Sequence, residues 1–273
     1  MKHILLPTDF SETAFKAAVY ALDLFGTEDV QYTLVHTYLK TSFSHVLLPR
    51  MVDTEAMANN GLRRVERRLR KHAGKMRLAK VASSGQLYDV LNELAVRKGA
   101  DLVVMGTQGE GNYGMVGRNT TSAVTDCELP MIAVPSEFER EPVSRILLAH
   151  DGGPLDEHTL APLRLVAMAT GAFIEVLQVW EGEQADHLGL NRRTVSELLA
   201  GIPHSLEVIS GANVVSTINE QARIKRIQLV AVVRRHKSLL DRIFQGSTSK
   251  RMALHTTEPL LVLRENSGTG PRA

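Results

Sequence analysis

The sequence predicts an α/β fold of two tandem, doubly wound domains, each with a five-stranded parallel sheet. Two observations carry this prediction: short uninterrupted apolar runs alternate with helical patterns, and the order of the runs repeats once along the 273 residues. Continuous apolar runs are typical of strands that are buried on both faces of a parallel sheet. Strands that alternate with helices form right-handed βαβ units, which build a doubly wound sheet.

The first half contains five strand candidates. In order they are HILLPTD (3–9), YTLVHTY (32–38), AKVASSG (79–85), DLVVMG (101–106) and PMIAVP (130–135). A helix is predicted after the first of them, with Ser11 as its N-cap and alanines at helical spacing on one side. Gly26 stands where a helix-terminating glycine belongs, so this helix should end at Phe25.

The second half repeats the same order of elements. Its strand candidates are RILLAHD (145–151), IEVLQVW (174–180), LEVISGA (206–212), QLVAVV (228–233) and PLLVLR (259–264). A charged stretch closed by Pro142 separates the halves, which places the domains at 1–140 and 141–265. The polar tail 266–273 should be disordered.

Composition restricts the function classes. The 44% hydrophobic and 23% charged content is typical of a soluble globular protein, and the net charge of +2 indicates no nucleic-acid partner. A single cysteine, Cys127, excludes an internal disulfide framework. The histidines lack metal-ligand spacing, and no apolar run is long enough to span a membrane. The start MKHILLPTDF is too short in apolar residues for a signal peptide, so a cytoplasmic protein is expected.

One basic run needs its own interpretation. Arginine and lysine are dense between residues 63 and 71, which could form a nucleic-acid patch. The apolar residues Leu62, Val65 and Leu69 recur within it at helical spacing. The run is therefore interpreted as the solvated face of an amphipathic helix.

Residues 101–135 indicate a phosphate site. An apolar run ends at Gly106, and glycine recurs at four later positions, Gly109, Gly111, Gly114 and Gly117. The sequence Asn119-Thr120-Thr121 then opens a helical pattern. Glycines let a backbone approach a ligand closely, and a helix N-terminus offers free N–H donors. Ligands of doubly wound sheets bind beyond the carboxyl ends of strands, where Asp9 and Gly106 both lie. These features predict a nucleotide; the embedded Gly-x-Gly-x-x-Gly is a weak dinucleotide fingerprint, because the chain stays loop-like until about Asn119.

Both halves resemble the universal stress protein family, and the whole chain resembles a tandem pair of its domains. The family motif Gly-x2-Gly-x9-Gly-Ser/Thr is matched by Gly106, Gly109 and then Asn119-Thr120, with asparagine at the third glycine. The family's aspartate after the first strand is matched by Asp9. The resemblance implies an adenine nucleotide alpha hydrolase-like fold and a pseudo-dimer within the chain through the two fifth strands. It also allows a homodimer.

The resemblance implies a set of ligand contacts. Pro7, Thr8 and Asp9 would hold adenine and ribose, with Thr37 and Met105 packed near adenine. Ribose and phosphates would be lined by Gly106, Gln108 and Gly109. Phosphate would receive hydrogen bonds from Asn119, Thr120 and Thr121. The ligand would be ATP, ADP or AMP, with Mg²⁺ accompanying ATP. Asparagine tolerates positive φ, so the cradle either survives around Asn119 or is partly blocked by its side chain.

The second half has a degenerate motif. Asp151, Gly246 and Ser247 keep parts of it, but Val233 and His236 stand where two glycines are expected. Arg234, Arg235 and Lys237 could still attract phosphate; the alternative is a structural half that has lost its site.

Three functions remain open. The first is a nucleotide-responsive stress or signalling module with an unknown protein partner. The second is a slow ATP hydrolase, for which the sequence assigns no catalytic residue and no metal site. The third is an interaction protein that has lost nucleotide binding.

Overall fold

The computed structural model describes residues 2–38, 53–107, 126–180, 192–211, 213–235 and 258–265. The chain divides into two compact units, Met1–Leu129 and Pro130–Ala273. The domain ranges 1–140 and 141–265 remain a prediction from the sequence repeat.

The first unit is a parallel sheet with helices between its strands. Its strands are β1 (Lys2–Pro7), β2 (Val30–Tyr38), β3 (Arg77–Ser84) and β4 (Leu102–Gly106). Its helices are α1 (Glu12–Phe25), α2 (Thr54–Ala73) and α3 (Leu87–Lys98). The strand order is β3-β2-β1-β4, with every pair parallel. Strand β1 is thus central, and its carboxyl end lies between those of β2 and β4.

The described residues of the second unit form six strands and three helices. The strands are β5 (Met131–Val134), β6 (Arg145–His150), β7 (Phe173–Trp180), β8 (His204–Ser210), β9 (Leu229–Arg234) and β10 (Leu260–Arg264). The helices are α4 (Glu157–Thr170), α5 (Arg192–Leu198) and α6 (Val214–Ile224). The order is β5-β10-β9-β6-β7-β8. All pairs are parallel except β5 and β10, which pair antiparallel with Ile132 opposite Leu261.

The structure contains the ten strands that the sequence predicts. The two fifth strands, β5 and β10, pair with each other as expected. The pairing has a consequence for the units: β5 is the last strand of the first repeat in sequence but belongs to the second unit. The mostly parallel strands and the helices between them confirm the α/β fold class.

Local signals also set the helix bounds. The Ser11 hydroxyl accepts a hydrogen bond from Ala14 N at 3.2 Å, and Gly26 ends α1 with φ of 69°. Both were predicted from the preference of serine for N-caps and of glycine for left-handed backbone.

Helix α2 confirms the interpretation of the basic run. Leu62, Val65 and Leu69 are buried, while all five of its arginines are exposed. Arg68 forms an ion pair with Glu12 of α1 at 2.7 Å and stacks over the Phe15 ring. In the described part of the chain no helix is long and apolar enough to cross a membrane. No cluster of three potential metal ligands occurs there either.

Candidate functional site

The carboxyl ends of β1, β2 and β4 form one edge of the first unit. The register pairs Pro7 with Val35 and Ile4 with Leu102, which brings the three strand ends together. Six predicted contacts lie at or next to this edge: Pro7, Thr8, Asp9, Thr37, Met105 and Gly106. The other predicted contacts of this half lie outside the described residues: Gln108, Gly109, Asn119, Thr120 and Thr121.

The turn from β1 into α1 holds Asp9 in place. One carboxylate oxygen of Asp9 accepts a hydrogen bond from Ser11 N at 3.0 Å, and the buried Thr8 hydroxyl accepts one from Phe10 N at 3.0 Å. The turn requires φ of 70° at Phe10, a conformation that is rare for a bulky residue. Asp9 itself is exposed. The edge therefore presents a fixed carboxylate to solvent.

An aromatic pair beside Asp9 was not anticipated from the sequence. The Phe10 and His36 rings stack with centroids 4.2 Å apart and planes inclined by 28°. His36 Nδ1 lies 2.7 Å from the carbonyl oxygen of Thr8, so it must carry the proton and donate. A Cβ at Gly61 of α2 would lie 2.6 Å from two carbons of the Phe10 ring. A glycine inside a helix is unfavourable, and this one was the available signal that another group packs closely there.

Packing also explains why position 106 is a glycine, which the sequence interpretation missed. A Cβ at this position would lie 2.7 Å from Cγ2 of Thr13 and 3.0 Å from the backbone carbonyl carbon and oxygen of Thr13. The first turn of α1 therefore packs directly on the end of β4. This glycine is required for that packing, whether or not a ligand also approaches it.

The second unit has an equivalent edge with different contents. Asp151 follows β6 as Asp9 follows β1, and its carboxylate likewise accepts a hydrogen bond from the backbone N–H two residues on, Gly153, at 3.1 Å. Arg235 forms an ion pair with Asp151, donates to the carbonyl oxygen of Pro154, and lies 3.2 Å from a carboxylate oxygen of Glu265. The suggestion that Arg235 attracts phosphate is therefore wrong, because two carboxylates already neutralise it. Gly246 and Ser247 lie outside the described residues.

Two buried polar groups lie beneath this edge. His150 and Gln178 are register partners on β6 and β7, and they are 3% and 5% exposed. His150 Nδ1 and Gln178 Oε1 have no hydrogen-bond partner within the described ranges. Burial lowers the pKa of His150; Asp151 raises it and Arg235 lowers it further, with burial the largest effect. His150 is therefore neutral near pH 7.

Comparisons with known proteins agree with the fold. Residues 1–135 match the model of the universal stress protein family. A universal stress protein from Archaeoglobus fulgidus is similar over 96% of this chain and 98% of its own, with 17% identity and a TM-score of 0.67. A protein of unknown function from Pseudomonas aeruginosa is similar over 97% of this chain and 92% of its own, with 14% identity and a TM-score of 0.59.

The same fold occurs in a protein of another kind. The cytoplasmic domain of a prokaryotic cation chloride cotransporter is similar over 96% of this chain and 95% of its own, with 9% identity and a TM-score of 0.58. Comparison with curated proteins gives no match. At these identities the structural likenesses establish the fold, and function has to be argued from the site.

Proposed function

We propose that this chain is a tandem universal stress protein whose first unit binds ATP, ADP or AMP, with Mg²⁺ accompanying ATP. Occupancy of the site would change the conformation of the chain or its contacts with a protein partner in a cytoplasmic stress response. The observation that carries the proposal is the convergence of Asp9, Thr37 and Gly106 at one carboxyl edge, where the chain enters its glycine-rich segment. The family match over residues 1–135 supports it.

Each group at the edge has a role that suits a nucleotide. The anchored Asp9 carboxylate would accept hydrogen bonds from the adenine amino group or the ribose hydroxyls. Thr37 and the buried Met105 would pack against the base. The backbone N–H groups of the glycine-rich segment, and of the helix that the sequence predicts from Asn119, would receive the phosphates.

The nucleotide is proposed as a ligand and not as a substrate. A P-loop places a lysine directly after its glycines to reach the terminal phosphates, and no lysine follows the glycines here. No residue of the edge is assigned as a general base. Mass spectrometry of small molecules released from the purified protein identifies the bound nucleotide, and phosphate release measures any hydrolysis.

A matched pair of aspartates tests the site. Calorimetric titration of the full chain with ATP should show about tenfold weaker binding for Asp9→Ala, the effect of losing one charge-assisted hydrogen bond. Asp151→Ala removes the equivalent carboxylate of the second unit and should leave ATP affinity unchanged. Equal affinity of Asp9→Ala and wild type would refute the assignment.

Two loop variants test the phosphate end. Gly109→Val should abolish ATP binding, because a branched side chain would occupy the space that the phosphates need; a circular dichroism melt verifies folding. Asn119→Gly should keep or raise the affinity for ATP if this position contributes only a backbone turn beneath the phosphates. A loss of about 1 kcal/mol would show instead that the asparagine amide donates to phosphate.

A further inference from the structure

The Arg235 guanidinium is enclosed by acceptors from three segments of the second unit. Nη1 pairs with the carboxylate of Asp151 after β6, and Nη2 donates to the carbonyl oxygen of Pro154 ahead of α4. Nε lies 3.2 Å from Glu265 Oε1 after β10. Each nitrogen of the planar fork thus has its own oxygen, and the side chain is only 10% exposed.

The backbone at Gly153 leaves room for the planar guanidinium of Arg235. A Cβ at Gly153 would lie 2.7 Å from the guanidinium carbon and 2.9 Å from Nε and Nη1. Any residue other than glycine would therefore displace the guanidinium. The hydrogen bond from Gly153 N to Asp151 holds the glycine in position and orients the carboxylate at once.

The charges of this edge are the reverse of those a phosphate needs. Two carboxylates, Asp151 and Glu265, face the guanidinium, and a backbone carbonyl adds a third acceptor. The amide oxygen of the neighbouring Gln178 is buried and has no hydrogen-bond partner in the part of the chain that is described, which adds a further acceptor. Acceptors and anions attract a cation with several donors and repel an anion.

The sequence repeat shows what Arg235 replaces. Alignment of DLVVMGTQG (101–109) with QLVAVVRRH (228–236) places Arg235 at the position of Gln108. The register agrees, since Ile4 pairs with Leu102 as Ile146 pairs with Leu229. In the second half, Arg235 therefore occupies the position that corresponds to the start of the glycine-rich segment in the first half.

We propose that the carboxyl edge of the second unit is a guanidinium-binding site, which Arg235 fills as a tethered ligand. This unit then selects a planar cation in place of a nucleotide phosphate, and the chain binds one nucleotide.

Chemical rescue tests the proposal in the full chain. Arg235→Ala should melt below wild type, and about 10 mM methylguanidinium should raise its melting temperature by about 2 °C or more by binding the vacated site. N-methylurea has a similar shape but no charge and should give no such rise. Wild type, whose site is filled, should also show none.

Arg234→Ala is the matched control. It removes the same charge one residue earlier, and Arg234 has no ion pair among the described residues. Its melting temperature should not respond to methylguanidinium. In the Arg235→Ala background, Asp151→Asn should abolish the rescue.

The outcomes separate cleanly. Equal responses of folded Arg235→Ala to methylguanidinium and N-methylurea would overturn the guanidinium site. A second equivalent of ATP bound by Arg235→Ala would overturn the charge argument. If Arg235→Ala does not fold, Arg235→Lys keeps the charge but loses the planar fork. Arg235→Lys should then melt at least about 2 °C below Arg234→Lys, and equal melting temperatures would overturn the proposal. The responses to methylguanidinium do not depend on nucleotide binding in the first unit; only the count of ATP equivalents rests on the proposed function.

Discussion

Replacing Gly106 with alanine tests why β4 ends in glycine. The added Cβ would lie 2.7 Å from the Thr13 methyl carbon and 3.0 Å from the backbone carbonyl carbon and oxygen of Thr13. The methyl group can rotate away, but the backbone of α1 can only move as a unit. Overpacking of this kind costs about 1–3 kcal/mol, so Gly106→Ala should lower the free energy of unfolding by about 2 kcal/mol.

A double-mutant cycle isolates the contact. Thr13→Ser removes the methyl group that lies nearest and leaves the backbone contacts at 3.0 Å. Urea unfolding of the four proteins, followed by circular dichroism, should therefore show partial recovery in the double variant, with a coupling energy of about 0.5–1 kcal/mol.

The same variants distinguish a packing glycine from a ligand glycine. If Gly106→Ala unfolds at the same urea concentration as wild type while its affinity for ATP falls, the glycine serves the ligand and the packing argument is refuted.

Four further substitutions test the two units. Lys225→Met should lower the free energy of unfolding by about 1–2 kcal/mol at pH 7, because Lys225 Nζ lies 3.3 Å from Glu175, whose side chain is 9% exposed. Burial opposes ionisation of Glu175, but hydrogen bonds and nearby cations outweigh it and hold its pKa below the usual value. The contribution is therefore present above the unfolded-state pKa of about 4.3 and is lost as pH falls through the folded-state pKa, so acid titration of the melting temperature should bring the two proteins together. Burial is the main cause that lowers the pKa of His150. Below about pH 6.5 the unfolded chain therefore binds a proton that the folded chain resists, so His150 should lower the free energy of unfolding as pH falls. If the melting temperature of His150→Asn depends on pH in the same way as that of wild type, this prediction is contradicted. Gly61→Ala should cost about 1–3 kcal/mol through overlap with the Phe10 ring, and Phe10→Ala in the same chain should recover part of it, as measured by urea unfolding.

Much of the fold was predictable because its signals are local. Apolar runs mark the ten strands, and Ser11 and Gly26 mark the ends of α1 through their own backbone preferences. The gathering of Asp9 and Gly106 followed from a rule of topology, since carboxyl ends of neighbouring parallel strands share an edge.

The side-chain contacts at the carboxyl edges of the two units were not predictable in the same way. The stack of Phe10 on His36, the contact of Gly106 with Thr13 and the enclosure of Arg235 each join segments that are far apart in sequence. No periodicity reports such contacts, because they depend on which side chains meet after the strands are assembled.

The antiparallel pairing of β5 with β10 determines where this protein can be dissected. A fragment that begins at residue 141 would leave the apolar edge of β10 without its neighbour, and an uncovered edge strand is a template for aggregation. A fragment that begins at Pro130 keeps the ladder from Met131 to Val134 with its partner. The second compact unit therefore begins at Pro130, one strand before the boundary at residue 141 that the sequence repeat predicts.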